Sequence, residues 1–199
     1  QTLLLTRPPT FSVIAAFLLF ITAPIWIALA ILIKRESPGP VFFNQNRVGK
    51  NGRIFTMYKF RSMVHDADTR KKELEAHNDA KGHIFKMKQD PRVTWIGRLM
   101  RRSGLDELPQ LINVLRGEMS IVGPRPLLPE EVARHDEHEK RRLATTPGIT
   151  GLWQVNRSQQ YNFDEVVNWD LYYIENWSFW LDIKILMKTA SAVVQGKAE

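Results

Sequence analysis

From Phe11 to Ile33 the chain carries no charged side chain. A run of ~20 apolar residues is enough to cross a bilayer as a helix. Pro24 falls near its middle, and a proline there removes one helical hydrogen bond and predicts a kink or break. Arg7 stands on one side and Lys34-Arg35 on the other. Two membrane readings stay open: a kinked transmembrane helix, or a re-entrant helix that breaks at Pro24 and returns to the same face. A signal peptide fits less well, because the run continues past Ala28-Leu29-Ala30 and exceeds a usual h-region.

Ser37-Pro38-Gly39-Pro40 is a breaker cluster and divides the chain into a membrane segment, 1–37, and a catalytic-size remainder, 38–199. Val41–Val48 and Arg53–Ser62 read as two strands around Gly49-Lys50-Asn51-Gly52, and Asn-Gly is a strong hairpin signal. Alternation along the second strand puts Ile54, Thr56, Tyr58 and Phe60 on one face and Phe55, Met57, Lys59 and Arg61 on the other. The stretch 64–90 is charged and reads as an exposed helix or loop. Leu105, Leu108, Leu111, Ile112 and Leu115 recur at helical spacing. Pro109 must lie in the first turn of that helix, which places Asp106 at or near the N-cap. Residues 129–143 read as a charged helix, with His135 and His138 on a solvated face rather than at a metal. Residues 168–194 read as helical with a break near Asn176, and their bunched aromatics suggest an interfacial belt. The fold class expected is α+β: a membrane helix, a small β-hairpin or sheet, and several amphipathic interfacial helices.

Charge narrows the partner. Twenty-eight Lys and Arg against 21 Asp and Glu give a net +7, which suits an anionic partner. Cysteine is absent, so disulfides and Cys-based zinc sites are excluded. No zinc-finger spacing, ribonucleoprotein signature, serine nucleophile elbow or metalloprotease motif appears. Asp106-Glu107 follows Arg101-Arg102, and an ionised carboxylate beside cations can hold a metal or attack phosphorus. Capping alone would also explain the pair. Arg125, between Pro124 and Pro126, is a rigidly held guanidinium suited to a phosphate. Pro147-Gly148-Ile149-Thr150-Gly151 reads as a loop whose amides could approach an anion.

Taken in order, Arg47-Val48-Gly49, Tyr58-Lys59-Phe60-Arg61-Ser62-Met63, Leu105 to Leu111, Val122-Gly123-Pro124-Arg125-Pro126, Pro147 to Asn156 and Asn176-Trp177-Ser178 resemble the bacterial sugar transferases. These are the polyprenyl-phosphate glycosylphosphotransferases, or monotopic phosphoglycosyl transferases. The resemblance implies a re-entrant helix broken at Pro24 and a catalytic domain on the cytoplasmic face of the bacterial inner membrane. The family's Ser-Pro is Ala23-Pro24 here, and Asn156-Arg157-Ser158 lacks the usual Gly. It further implies transfer of a sugar-1-phosphate from a UDP-sugar to polyprenyl (undecaprenyl) phosphate through a covalent aspartyl intermediate, with release of UMP. Asp106 and Glu107 would be catalytic and would bind Mg2+. Lys59, Arg61, Arg101, Arg125 and Arg157 would hold phosphate, and Pro147, Gly148, Thr150, Gly151 and Gln154 the nucleotide-sugar. Membrane lipids are partners, nucleic acid is not, and homo-oligomerisation is open. The rival class is a non-enzymatic, membrane-anchored basic module that binds anionic lipid or nucleic acid.

Overall fold

The structure, a computed structural model, describes residues 10–67, 69–70, 87, 90–156 and 163–196. Most of the charged stretch 64–90, and Arg157, lie outside the described residues.

Helix α1 spans Thr10–Glu36 and stays helical through Pro24, so of the kink or break expected there no break is found. Side-chain bonds brace the turns around it: Thr22 Oγ1 donates to Leu18 O at 2.6 Å, and Trp26 Nε1 to Thr22 Oγ1 at 3.2 Å. Its residues Phe11, Ala15, Leu18, Thr22, Trp26, Leu29 and Ile33 are buried or half-buried. Their spacing of three and four marks one helix face along the whole length. Ala15 joins a core with Phe55, Met57, Leu111, Val114 and Met119, while Leu29 and Ile33 join one with Phe60, Ile96 and Met100. Both ends of α1 therefore lie on the same domain. The opposite face exposes Val13, Phe17, Phe20, Ile27 and Ile31.

Strands β1 (Phe42–Val48) and β2 (Ile54–Phe60) form the expected antiparallel hairpin, Val48 opposite Ile54 and Phe42 opposite Phe60. Asn51 and Gly52 take the positive φ values the turn demands, 57° and 77°. Phe42, Phe60 and Trp26 pack ring against ring, with centroids 5.2–6.1 Å apart, and join the hairpin to α1.

Helix α2 (Trp95–Ser103) is capped twice: Thr94 accepts from Gly97 N, and the Glu36 carboxylate at the end of α1 accepts from Trp95 N and Ile96 N. Helix α3 (Gln110–Leu115) follows a separate 3-10 turn, Leu105–Glu107. The fully buried Asn113 registers α3 on β2: its Oδ1 accepts from Tyr58 N at 3.2 Å and its Nδ2 donates to Thr56 O at 2.7 Å.

Strand β3 (Ser120–Val122) leads through Arg125 to two short helices, α4 (Pro129–Val132) and α5 (Glu137–Lys140), then a 3-10 turn, Arg141–Ala144. The single helix expected over 129–143 is thus three pieces. Asp136 accepts from Glu139 N to start α5. His135 is buried and hydrogen-bonded to Glu131 O rather than solvated. Strand β4 (Gly148–Thr150) pairs parallel with β3. Helix α6 (Leu152–Asn156) follows, then α7 (Phe163–Glu175) and α8 (Phe179–Val194), broken at Asn176–Ser178 as expected. Ser178 caps α8. The aromatics divide: Trp169, Tyr172, Phe179 and Trp180 are exposed, whereas Tyr173 is core and donates to Asp182.

Replacing Asn113 with Leu is expected to cost ~2–3 kcal/mol, because it strands Tyr58 N–H and Thr56 C=O at a half-buried edge. Urea titration at unchanged m-value would show this, and a loss within error of zero would contradict the role given to Asn113.

Candidate active site

Gly104, at φ 69°, ends α2 and starts the 3-10 turn that carries Asp106 and Glu107. Glu107 N bonds back to Gly104 O, and Leu108 N to Leu105 O. Asp106 is therefore not the N-cap of an α-helix. The turn is one 3-10 step, and α3 begins only at Gln110, so no α-helix starts at Asp106 to favour its charge. Burial dominates instead. The Asp106 side chain lies almost out of water, and this desolvation pushes its carboxyl up to about 6. Lys59 opposes the rise, Glu107's negative charge adds to it, and Arg101 opposes it more weakly.

The two acids have different surroundings. Lys59 Nζ donates to Glu107 Oε1 at 2.6 Å. Burial pushes the Glu107 carboxyl upward, but Lys59, Arg125 and a hydrogen bond from Gln110 outweigh it, so it sits below its ordinary value. Among the described residues no side chain hydrogen-bonds Asp106. The acid with the committed partners is Glu107, and the acid that is buried, basic and uncommitted is Asp106.

Asp106, Glu107, Lys59, Arg101, Arg125, Thr150 and Gln154 all line one open cleft of about 770 Å³. Arg101 leans on Ser62 Oγ at 3.0 Å. Arg125 is exposed between two buried prolines and hydrogen-bonds no described residue. Arg61 also borders the cleft, but its guanidinium donates to Ser37 O at 2.6 Å, to Pro38 O and to Ile33 O. It thereby satisfies carbonyls at the end of α1, where the sequence reading had it grip phosphate. The stretch Pro147–Gly151 is less loop-like than expected: Gly148–Thr150 is strand β4, where Gly148 N donates to Pro124 O, Pro147 O accepts from Ser120 N, and Thr150 O from Gly123 N. A Cβ on Gly148 would come within 2.1 Å of Gly123 N, so this glycine serves close backbone packing rather than an anion. Thr150 bonds Thr189, and Gln154 Nε2 donates to Ile149 O.

Arg47, part of a matched motif but given no role at the site from the sequence, also belongs to it. It is buried, donates to Pro126 O and Gln45 Oε1, and lines the cleft. Burial, reinforced by the like charge of Arg125, lowers its pKa to about 10. The hairpin register would have found it, since Gln45 and Arg47 lie opposite Met57 and Phe55, on the face that ends in Lys59.

Mg2+ is held through one or two carboxylates, waters and substrate phosphates rather than by a full protein cage. A buried carboxylate with no bonded side-chain partner, next to a second acid, fits that donor set. The described residues hold no cluster of three or more acids, histidines or cysteines.

A hairpin-borne lysine, a buried acid and a proline-held arginine thus line one cleft beside a helix long and apolar enough to cross a membrane. The chain belongs to the bacterial sugar transferase family, whose model matches residues 9–196. It is 51% identical over 81% of its length to a galactosyl transferase, CpsE, of Streptococcus agalactiae, covering 36% of that protein. It is 43% identical over 94% of its length to the undecaprenyl-phosphate galactose phosphotransferase of Salmonella typhimurium, covering 40% of it. A UDP-N-acetylgalactosamine-undecaprenyl-phosphate N-acetylgalactosaminephosphotransferase of Aeromonas hydrophila is 41% identical over 87% of the chain, again covering 40% of that protein. The chain thus spans well under half the length of these relatives.

The raised Asp106 pKa has a consequence for stability. Its folded form keeps a proton to about pH 6, whereas the unfolded form releases it near 3.8. The Asp106 contribution to stability of the metal-free protein is therefore fully present below about pH 4, is lost as pH rises to about 6, and stays lost above it. Asp106→Asn removes that loss. With chelator present, it should gain up to about 3 kcal/mol at pH 7.5 and nothing at pH 4. Equal stability changes at the two pH values would contradict the buried, proton-holding carboxyl.

Proposed function

We propose that this chain transfers a sugar-1-phosphate from a UDP-sugar to polyprenyl phosphate, by way of a phosphosugar ester on Asp106. The carrying observation is the contrast between the two acids. Asp106 has no side-chain hydrogen-bond partner among the described residues and is made more basic by burial, and a more basic carboxylate is a better nucleophile that is still ionised near neutral pH. Glu107 is held by Lys59 and is read as the support that keeps Lys59 at the site.

In the first step a carboxylate oxygen of Asp106 attacks the sugar-linked phosphorus. The bond from that phosphorus to the bridging oxygen breaks, and UMP leaves with the electron pair. In the second step an oxygen of the lipid phosphate attacks the same phosphorus and the bond to Asp106 breaks. The carboxylate is regenerated and the product is polyprenyl-diphosphate-sugar. Lys59, Arg101 and Arg125 bring positive charge to the phosphoryl oxygens as negative charge develops on them. Arg47 stiffens Arg125 through Pro126 O and adds a second cation behind it. Asp106, with Glu107 beside it, would hold Mg2+, which when bound neutralises diphosphate charge. Gln154, beside Arg125 in the cleft, is read as a donor-side contact. Arg61 is read as a clamp on α1.

The placement of α1 supports a monotopic arrangement. A helix that crossed a bilayer away from the domain would leave one end with no protein to touch, and both ends of α1 are packed on this domain. Its outer face, with Trp95 and Leu99 of α2 and Phe179 and Trp180 of α8, offers an apolar surface edged by Lys34, Arg35, Arg98 and Arg102. Polyprenyl phosphate presents its headgroup at such an interface, and a UDP-sugar reaches it from the cytoplasm, which puts the domain on the cytoplasmic face of the inner membrane. The relatives named above act on galactose in one case and N-acetylgalactosamine in another, so the sugar stays open.

Mixing the protein with UDP-sugars and no acceptor should give a burst of UMP close to one equivalent, and steady-state kinetics with acceptor should be ping-pong. Asp106→Asn should abolish the burst and lower turnover on the order of 10³-fold or more, whereas Glu107→Gln should slow but keep it. A wild-type rate that needs both substrates bound before any UMP appears would overturn the two-step scheme. Salt-sensitive lipid or nucleic-acid binding, with no UMP release from any UDP-sugar, would favour the basic-module reading.

A further inference from the structure

The cleft that holds Asp106 has two kinds of wall. Beyond the ring of Lys59, Arg101, Arg125 and Gln154 it continues into an apolar trough lined by Leu18 of α1, Ile121 and Ile149 of the β3–β4 pair, and Leu186, Ala192 and Val193 of α8. Each of these six is only half-buried, so the trough wall is open. Nothing in the proposed chemistry at phosphorus needs an apolar wall there. A nucleotide or a sugar would be poorly served by it, because both carry polar groups that lose water without gaining partners.

We propose that this trough receives the first isoprene units of the acceptor lipid and presents its phosphate to Asp106. The assignment rests on the acceptor named in the proposed function. Two observations choose an isoprenoid chain as the occupant. The first is continuity with the reacting atoms: apolar wall and catalytic acid belong to one cleft, so a ligand that fills both must be apolar at one end and anionic at the other. The second is continuity with the lipid-facing surface. On a helical wheel, Leu186 and Val193 pass directly into the exposed Phe179, Met187 and Val194 of α8, and Leu18 adjoins the exposed Phe17 and Ile21 of α1. A chain can therefore run from the bilayer, along the apolar sides of α1 and α8, toward the acid, passing only the Thr150–Thr189 hydroxyl pair, which is already hydrogen-bonded to itself. At about 770 Å³ for both ends together, the cleft takes only the proximal part of a polyprenyl chain and leaves the rest in the bilayer.

The trough makes a prediction that the chemistry alone does not. With wild type preloaded from UDP-sugar, the rate of transfer to methyl phosphate, geranyl phosphate, farnesyl phosphate and longer homologues in detergent should rise steeply over the first few isoprenes and then level. Ala192→Trp fills the trough. It should keep the UMP burst of the donor half-reaction, leave transfer to methyl phosphate unchanged, and lower kcat/KM for farnesyl phosphate at least tenfold. Val193→Asn, which makes the wall polar without filling it, should act in the same direction. An acceptor carrying a photoreactive group on its first isoprene should label wild type on α8 between Leu186 and Val193. A filled variant that keeps the wild-type chain-length dependence, or label confined to the outer face of α2 at Trp95 and Leu99, would overturn the trough. A wild type with no UMP burst would instead overturn the reading of Asp106, whatever the labelling showed.

Discussion

A carboxylate that is kept from water, with its cations one step away, is the constraint on which this molecule turns. Asp106 is pressed into the floor of a cleft by a 3-10 turn, and no side chain among the described residues hydrogen-bonds it. The nearest lysine is tied to Glu107 instead. Such an arrangement costs stability, since desolvating an acid without a direct partner is unfavourable. It persists because the surrounding framework is over-determined: Asn113 locks α3 to β2, the Glu36 carboxylate caps α2, and Arg61 ties off the end of α1. Each of those contacts joins segments far apart in sequence, and together they leave the Gly104–Pro109 turn little freedom to expose its acid.

The same framework explains why the membrane helix and the site are one unit. Glu36 and Arg61 stand at the junction of α1 with α2 and the hairpin, so the element that meets lipid also positions the helix that carries Arg101 and the strand that carries Lys59. A domain on a flexible tether would have to find its lipid substrate by diffusion at the surface. On the proposed function, the apolar face of α1 would set the height of the cleft relative to the bilayer and bring the acceptor's headgroup to the depth of the acid.

Much of this was legible in the sequence where the signal is local. The hairpin followed from alternation and Asn51-Gly52, the break between α7 and α8 from Asn176-Trp177-Ser178, and the apolar helix from its length. The rest was settled by contacts distant in sequence. Asp106 looks like an N-cap because Pro109 permits a helix to start there; only the close fit against β2 forces a 3-10 turn and buries the carboxyl. Arg61 shares a strand face with Lys59, yet the carbonyls of Ile33, Ser37 and Pro38 lie within its reach and Glu107 is left to Lys59. Gly148 resembles the glycine of an anion loop, but its missing side chain admits the backbone of Gly123. In each case the residue type was right for two roles, and the partner across the fold decided between them.

The central claim is that Asp106 is the atom-bearing nucleophile and not a structural acid. Peptide mass spectrometry tests it directly: the protein is incubated with UDP-sugar alone, quenched, digested and mapped. The account predicts a phosphosugar adduct on the peptide containing Asp106, confined to that side chain and absent from Asp106→Asn. An adduct on Glu107 or on any other residue, or none while UMP is released, would contradict it.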